Sequence, residues 1–381
     1  MNASYSPCIE VPSLMKGVLL TGHGGPEKLV YRDDIPVPRP TEGEVLIRVT
    51  ACGVNNTDIW VREGAYGTEE DPYAVSTWRR GKPTLVFPRI QGADPVGQIV
   101  AVGPGVSPER IGQRVIVDFS IYNTDTDSLA YIDYMGHGRD GGFAEYMTLP
   151  AENAHEIISE LSDPELATFC VNYLTGEHML NRVGVGQGER VLITGASGGV
   201  GTALIQLCRA RGAIPYAIVS PGKEKVVRAI GAEAVVTRGT SSNMIEDVER
   251  ATNGYPIDVV ADVVVGPMFN ELLRILRQEG RYITAGAIAG PIVTLDMRTI
   301  YLKHLQIHGS SQGTRKEFRQ VVDYIEAGAI KPQLAGIFPL SKIHDAQREF
   351  LRKRFVGKLV VVPDTQLPRG YEYPPKLRLE P

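Results

Sequence analysis

The segment VLITGASGGVG, Val191 to Gly201, joins an apolar run to glycines at 195, 198, 199 and 201. Glycines so spaced let the backbone turn tightly and approach a pyrophosphate, whose charge is met by the amides of a helix N-terminus. A glycine pattern alone is weak, so its flanks decide. Val191-Leu192-Ile193 reads as a buried strand, GTALIQLCRARGA continues as an amphipathic helix, and AIPYAIVS supplies a second apolar strand, completing a βαβ unit. The chemistry expected is dinucleotide binding, with contacts at Gly195, Ser197, Gly198, Gly199, Val200 and Gly201. A bulky side chain at Gly198 or Gly199 would fill the pyrophosphate's space; a glycine turn without a ligand is the alternative. The second strand ends at Ser220, followed by Pro221, Gly222 and Lys223. An enzyme using NAD places an acid there to hold both ribose hydroxyls, whereas a hydroxyl and an ammonium suit a 2′-phosphate. NADPH is therefore expected over NADH, with Ser220 and Lys223 as its ligands, unless Glu224 turns back to the ribose.

Two kinds of element must position this loop. From Lys16 to Leu149 short apolar runs (KGVLLTG, EVLIRVTACGV, VGQIVAVGPGV, GQRVIVDF, GGFAEYMTLP) are broken by Gly and Pro, the pattern of a partly closed β-barrel. From Asp163 helices and strands alternate, the signature of a doubly wound α/β sheet, with PELATFCVNYLTGEHMLNRV and FNELLRILRQEG each read as one helix. The tail returns through the helices EFRQVVDYIEAG and IHDAQREFLRKR to the strand GKLVVVPD, which is expected to complete the β-rich domain. The division predicted is 1–165, 166–312 and 313–381, and the Pro-rich end TQLPRGYEYPPKLRLEP reads as an arm packed on the surface or on a partner.

The 381 residues suffice for two cores, and a net charge of −4 gives no basic field for nucleic acid. Cys8, Cys52, Cys170 and Cys208 lie far apart with no CxxC pair, which fits reduced thiols. The N-terminal residues carry no charged-then-apolar signal pattern, and no apolar run reaches bilayer-spanning length. A cytoplasmic protein with no membrane partner is expected.

The order of GVNNTD, GADPVGQIVAVGPGV, GQRV, DGGFAEY, TGASGGVG and GKLVVV, spread from Lys16 to Pro363, resembles the medium-chain dehydrogenase/reductase superfamily. The resemblance implies a GroES-like catalytic domain, a Rossmann domain, a substrate cleft between them, and a homodimer or homotetramer paired through the nucleotide domains. It also implies cofactor contacts at Thr175, Val264, Gly286, Ala287 and Lys358. The sequence departs from the zinc alcohol dehydrogenases of that superfamily. Asn55 stands where they carry a cysteine, Ala93 and Asp94 where they carry a histidine and a glutamate, and their four-cysteine lobe is replaced by SIYNTDTDSLAYIDYMGHGRDGG. No zinc is expected; convergence of Cys52, Asp94, Cys170 and His178 on a metal is the alternative. Loops of the form GVNxxD and GxD match the zinc-free side, which includes quinone oxidoreductases and enone reductases.

Without a Lewis acid, hydride transfer is easiest to an acceptor that spreads its own charge, as a quinone or an α,β-unsaturated carbonyl does, and hydrogen-bond donors then suffice. Catalytic donors are expected at Asn55, Thr57 and Tyr66, with Trp60, Asp94 and Tyr173 lining the substrate pocket. For Asn55 loop stabilisation is an equal alternative and for Asp58 it is the preferred reading, and His137 and Asp140 read either as cleft rim or as structural. The segment TEEDPYAVSTWRRGKPTLVF between the two loops is expected at the cleft entrance. The function implied is an NADPH-dependent, zinc-independent reductase of quinones or activated alkenes acting on a small molecule. A zinc-free alcohol dehydrogenase or carbonyl reductase, and a nucleotide-binding protein with little turnover, are the alternatives.

Overall fold

The computed structural model describes residues 10–67, 85–122, 129, 132–239 and 243–377; most of the expected entrance segment lies outside them. The chain divides into two compact units. One runs through Cys170 and takes in Gly336–Arg354 and Leu359–Lys376; the other comprises Val171–Ala335 and Phe355–Lys358. The second unit thus runs to Ala335, past residue 313 where the sequence reading starts the return, and takes in the helix Arg315–Glu326, whose Glu317 bonds His178 of that unit.

In the first, β-rich unit the strand Glu44–Gly53 is the hub. Along one edge it pairs antiparallel with Asp94–Val102; along the other, residues 44–48 pair with Tyr146–Pro150 and residues 52–53 with Lys358–Val362. The C-terminal strand therefore closes the sheet begun near the N-terminus, as the return of GKLVVV implied. Val45, Ile47 and Val49 alternate onto one face and bury with Ile99, Val115 and Met147. The Pro-rich arm lies on this same unit: the Tyr371 hydroxyl donates to Ile337 O at 3.0 Å and the Tyr373 hydroxyl to Asp345.

The α/β unit holds a six-stranded parallel sheet in the order Ala234–Thr237, Ile214–Val219, Arg190–Ile193, Ile257–Asp262, Leu276–Thr284, Gln306–Gly309. This 3-2-1-4-5-6 order is that of a Rossmann sheet, whose ligand crevice opens at the carboxyl ends of the strands where the order reverses. Val191, Leu192 and Ile193 are fully buried, each contributing roughly 1.5–3 kcal/mol of burial. Three local expectations are corrected. The segment after Asp163 forms two helices, Asp163–Leu166 and Cys170–Arg182, because the capping box of Ser162 and Glu165 closes a single turn. Phe269–Ile275 ends before LRQEG, which opens the strand Leu276–Thr284. The helix Gly199–Ala210 is buried continuously from Gly201 to Cys208 instead of being amphipathic. No helix of the described residues is long and apolar enough to cross a membrane.

Candidate functional site

The glycine loop is built by backbone requirements. Gly195 follows the strand with φ +56, a left-handed conformation only glycine takes readily, and Gly198 N donates back to Gly195 O at 2.9 Å. Gly198 caps the helix Gly199–Ala210 in extended conformation, so the amides of Gly199, Val200 and Gly201 are those a helix N-terminus leaves without an intrahelical carbonyl. A Cβ at Gly198 would meet only Gly195 O, at 3.4 Å, leaving open space in front of these amides. A Cβ at Gly199 would instead strike the Asn172 side chain at 2.3 Å, and one at Gly201 the Gly195 carbonyl at 2.4 Å. Of the three, Gly198 alone has open space for a side chain, whereas one at Gly199 would press on Asn172 before it filled any space in front of the loop. The loop is braced by Gly357, whose amide donates to Ser197 O at 3.0 Å; the next residue, Lys358, is buried and donates its amide to Gln333 O at 2.8 Å. This cradle, with donors in front and no room for side chains behind, fits a dinucleotide pyrophosphate.

At the end of the second strand the Ser220 hydroxyl accepts from Arg238 at 3.1 Å, and Lys223 Nζ donates to Phe355 O at 3.1 Å. Burial pulls the Lys223 ammonium below its ordinary value, and the Arg238 charge adds to this. Glu224 accepts from the Thr237 hydroxyl at 2.9 Å, which commits that carboxylate to the neighbouring strand. Arg238 was missed in the sequence; its signal is a basic residue directly after the third strand, AVVT. Val264 is buried in the loop after Ile257–Asp262 and accepts at its carbonyl from Ala289 N, while Gly286 bonds the Thr284 hydroxyl and Ala287 O accepts from Gly290 N at 3.0 Å. Thr175 is buried on the helix Cys170–Arg182. Tyr173, expected in the substrate pocket, is fully buried, its hydroxyl donating to Lys331 O and accepting from Gln206 at 2.6 Å. Its position is that of a core tyrosine with a satisfied hydroxyl.

In the β-rich unit Asn55 caps the helix Asn56–Arg62: its backbone amide donates to Asp58 at 2.7 Å and its side chain accepts from the Asp58 amide, a reciprocal capping box. The Asn55 amide nitrogen donates to the fully buried Asp94. The structural alternative for Asn55 and Asp58 is thus realised, and Asp94 serves Asn55. Thr57, in the first turn, is half-buried, and its hydroxyl has no hydrogen-bond partner among the described residues. Trp60 and Tyr66 meet edge to face at 5.5 Å. Burial, with the Asp58 charge adding, pushes the Tyr66 hydroxyl well up, so it stays protonated at neutral pH. Arg62, unnoticed in the sequence, is buried and anchors the helix by donating to Gly24 O at 2.7 Å and to Gln347 at 3.2 Å. His137 bonds Asp133 at 3.1 Å, and Asp140 accepts from Arg89 and from Ile90 N, structural roles for both.

These residues do not fit a catalytic zinc. Cys52 is buried, with its thiol turned to its neighbour's carbonyl, Gly53 O, at 3.8 Å. His178 is bonded to Glu317 at 2.9 Å within the α/β unit. No group of three His, Cys, Asp or Glu side chains among the described residues is placed to hold a metal ion.

Two family models match, "Alcohol dehydrogenase GroES-like domain" over residues 41–159 and "Zinc-binding dehydrogenase" over 199–327. A quinone oxidoreductase of Lama guanicoe is 31% identical over 360 residues, covering 92% of this chain and 98% of its own. A solved structure from Sinorhizobium meliloti 1021, provisionally an alcohol dehydrogenase, shares 68% identity with a TM-score of 0.90, over 93% of this chain and 98% of its own. An NAD-dependent alcohol dehydrogenase structure shares 29% with a TM-score of 0.83, over 91% of this chain and 99% of its own. With the GroES-like and Rossmann units both in place, the chain belongs to the medium-chain dehydrogenase/reductase superfamily and is a nicotinamide-dependent oxidoreductase.

Proposed function

We propose that this protein is an NADPH-dependent, zinc-independent reductase of quinones or α,β-unsaturated carbonyls, working in the cytoplasm. A bound NADPH supplies the hydride. The observation that carries the reading is that Asn55 and Ala93 stand where a zinc enzyme of the family would carry ligands, with the Asn55 amide bonded to buried Asp94 beside them. Charge on the acceptor must then be met by hydrogen bonds, each worth about 3 kcal/mol when aimed at a developing oxyanion. Thr57 and Tyr66 are the donors, and Asn55 fixes the helix turn that carries Thr57. Trp60 and Tyr66 offer a flat acceptor an apolar wall. Asp94 supports the pocket through Asn55, whereas Tyr173 is set aside because its hydroxyl is already committed.

For the cofactor, Lys223 and Arg238 are held close enough to repel, with Ser220 between strand end and helix, an arrangement a 2′-phosphate would relieve. Val264, Gly286 and Ala287 would line the nicotinamide half and Lys358 would support the glycine loop. Three buried, unbridged cysteines support a reducing compartment. The edge strand Gln306–Gly309, with Ile307 and the nearby Tyr301 and Leu302 exposed, supports pairing of two chains into a homodimer or tetramer. A second reading, a zinc-free alcohol dehydrogenase or carbonyl reductase, draws on the names of the two solved relatives.

Steady-state oxidation of NADPH and NADH with a simple quinone, an enone and a plain aldehyde tests the proposal. A tenfold or greater kcat/KM preference for NADPH, and for the quinone or enone over the aldehyde, is expected. Aldehyde preference would favour the second reading, and no turnover with any acceptor a nucleotide-binding protein.

A further inference from the structure

Asp262 ends the fourth strand of the Rossmann order and is fully buried, yet all of its partners are neutral. Its Oδ1 accepts from the Thr194 hydroxyl, from Val264 N at 2.8 Å and from Val265 N at 3.0 Å, and its Oδ2 from the Tyr282 hydroxyl at 2.6 Å. A buried carboxylate is tolerated only when its lone pairs are filled in this way. These four donors come from three different segments. Thr194 is the residue before Gly195 of the glycine loop, and its hydroxyl also accepts from Val263 N at 3.1 Å. Val264 and Val265 belong to the loop after the fourth strand, and Tyr282 to the fifth strand.

The loop so gathered is in an unusual state. Val265 has φ 57 and ψ −133, a conformation a β-branched residue reaches only when its surroundings impose it. The carboxylate imposes it by drawing two successive amides inward. The carbonyls of Val263 and Val264 are thereby turned to accept from Ile288 N at 3.4 Å and Ala289 N at 2.9 Å, docking the loop after the fifth strand onto the loop after the fourth. Gly266 seals the contact, since a Cβ there would lie 2.6 Å from Ala289 O. One carboxylate therefore holds both loops at the carboxyl ends of the fourth and fifth strands, while the glycine turn keeps its own bonds, from Gly198 N to Gly195 O and from Gly357 N to Ser197 O.

We infer that Asp262 is a positioning residue for the nicotinamide half of the dinucleotide, acting through the backbone of Val263–Val265. The two mononucleotide-binding halves of a Rossmann sheet lie on either side of the strand-order reversal. Asp262 sits on the side away from Ser220, Lys223 and Arg238, so its effect is specific to one half of the ligand. The inference rests on dinucleotide binding by this unit and not on which dinucleotide is bound.

The test measures affinity in the full chain for NADPH and NADH and for two adenosine fragments, ADP and adenosine 2′,5′-bisphosphate. Asp262→Ala weakens whichever dinucleotide the wild type takes by tenfold or more and leaves the fragments within twofold. Asp262→Asn, whose Oδ1 still accepts from Val264 and Val265, stays within threefold for all. Should Asp262→Ala fail to fold, Thr194→Val removes one donor and its hydroxyl's contact with Val263. It then weakens the dinucleotide about threefold, spares the fragments and speeds amide exchange at Val263–Val265 by tenfold or more. Parallel weakening of fragments and dinucleotide, or unchanged dinucleotide affinity with unchanged exchange, overturns the inference. A wild type that prefers NADH would sink the 2′-phosphate reading alone and leave this test intact.

Discussion

The glycine loop of the α/β unit and the Asn55–Asp58 turn of the β-rich unit are both helix N-termini, but they are specified differently. In the loop the functional groups are backbone amides, and side chains matter by being absent: Gly195 for its dihedral angle, Gly201 for close packing, Gly198 for open space. In the turn the functional groups are side chains, and most are already bonded to one another: Asn55 to Asp58 and Asp94, Arg62 to Gly24 and Gln347. A backbone site can be broken by adding atoms. A side-chain site is broken by removing them, and then stability and activity fall together unless the group removed is uncommitted. Thr57 is the uncommitted one among the described residues.

The largest effect that would sharpen this contrast is expected at Gly201. A Cβ there would lie 2.4 Å from Gly195 O and 2.5 Å from Ala196 Cα, both backbone. Gly201→Val should abolish measurable dinucleotide binding and lower Tm by about 5 °C, as overpacking of 1–3 kcal/mol implies. Gly198→Val should weaken binding at least tenfold with Tm unchanged. Titration calorimetry and a thermal melt on the two variants separate packing from ligand space; equal Tm losses would erase the distinction.

In the turn, Thr57→Val should lower kcat by about 10² with little change in KM or Tm, because in the proposed reaction the hydroxyl it deletes bonds only the reacting group. Asn55→Ala should lower both kcat and Tm, since it strips a helix cap and unpairs buried Asp94. If both variants lost Tm equally, Thr57 would be structural and the contrast would fail.

A smaller effect is expected where the two kinds of site meet, at the end of the second strand. Lys223→Ala and Arg238→Ala should each weaken NADPH by about tenfold, a charge-assisted hydrogen bond being worth roughly 1.5–3 kcal/mol, and leave NADH untouched. Equal losses for both cofactors would mean that neither residue reads the 2′-phosphate.

The smallest concerns the buried clamp between the helices Cys170–Arg182 and Arg315–Glu326. Burial alone would push the Glu317 carboxyl up. Hydrogen bonds from His178, the Thr314 amide and Asn181 outweigh it and hold the carboxyl down to about 2. A depressed folded value means the stabilisation is complete above the unfolded value near 4.5 and is lost as pH falls toward 2. Glu317→Gln should therefore cost a few degrees of Tm at pH 7, with the gap to wild type closing between pH 4.5 and 2.5. A gap independent of pH would assign the clamp to packing.

The same contrast decides what the sequence made legible. The alternation of strands and helices and the glycine spacing follow from local backbone demands, so VLITGASGGVG could be read as strand, turn and helix and is found so. The return of GKLVVVPD to the β-rich domain was read from the order of elements, but its partner Glu44–Gly53 was not, since no local signal joins strands three hundred residues apart. Partners of buried polar groups were the least legible. Arg238 reaches Ser220 from the neighbouring strand's end, Arg62 reaches Gln347 across the chain, and Asp262 reads locally as one more residue of an apolar strand. The partners of Tyr173 were hidden for the same reason: no local signal shows that Gln206 and Lys331 O hold the hydroxyl of this residue, which was expected in the substrate pocket. The end of Phe269–Ile275 was missed because Leu276 continues the helical period while joining the sheet core.

The central claim is that donors, and not a metal, meet the charge on the acceptor. The most direct test is elemental analysis of the purified full-length protein combined with NADPH-dependent quinone and enone reduction before and after exhaustive chelation. The account predicts no stoichiometric zinc and turnover unchanged by the chelator. One tightly held zinc per chain, with activity lost on its removal and restored on its return, would contradict it.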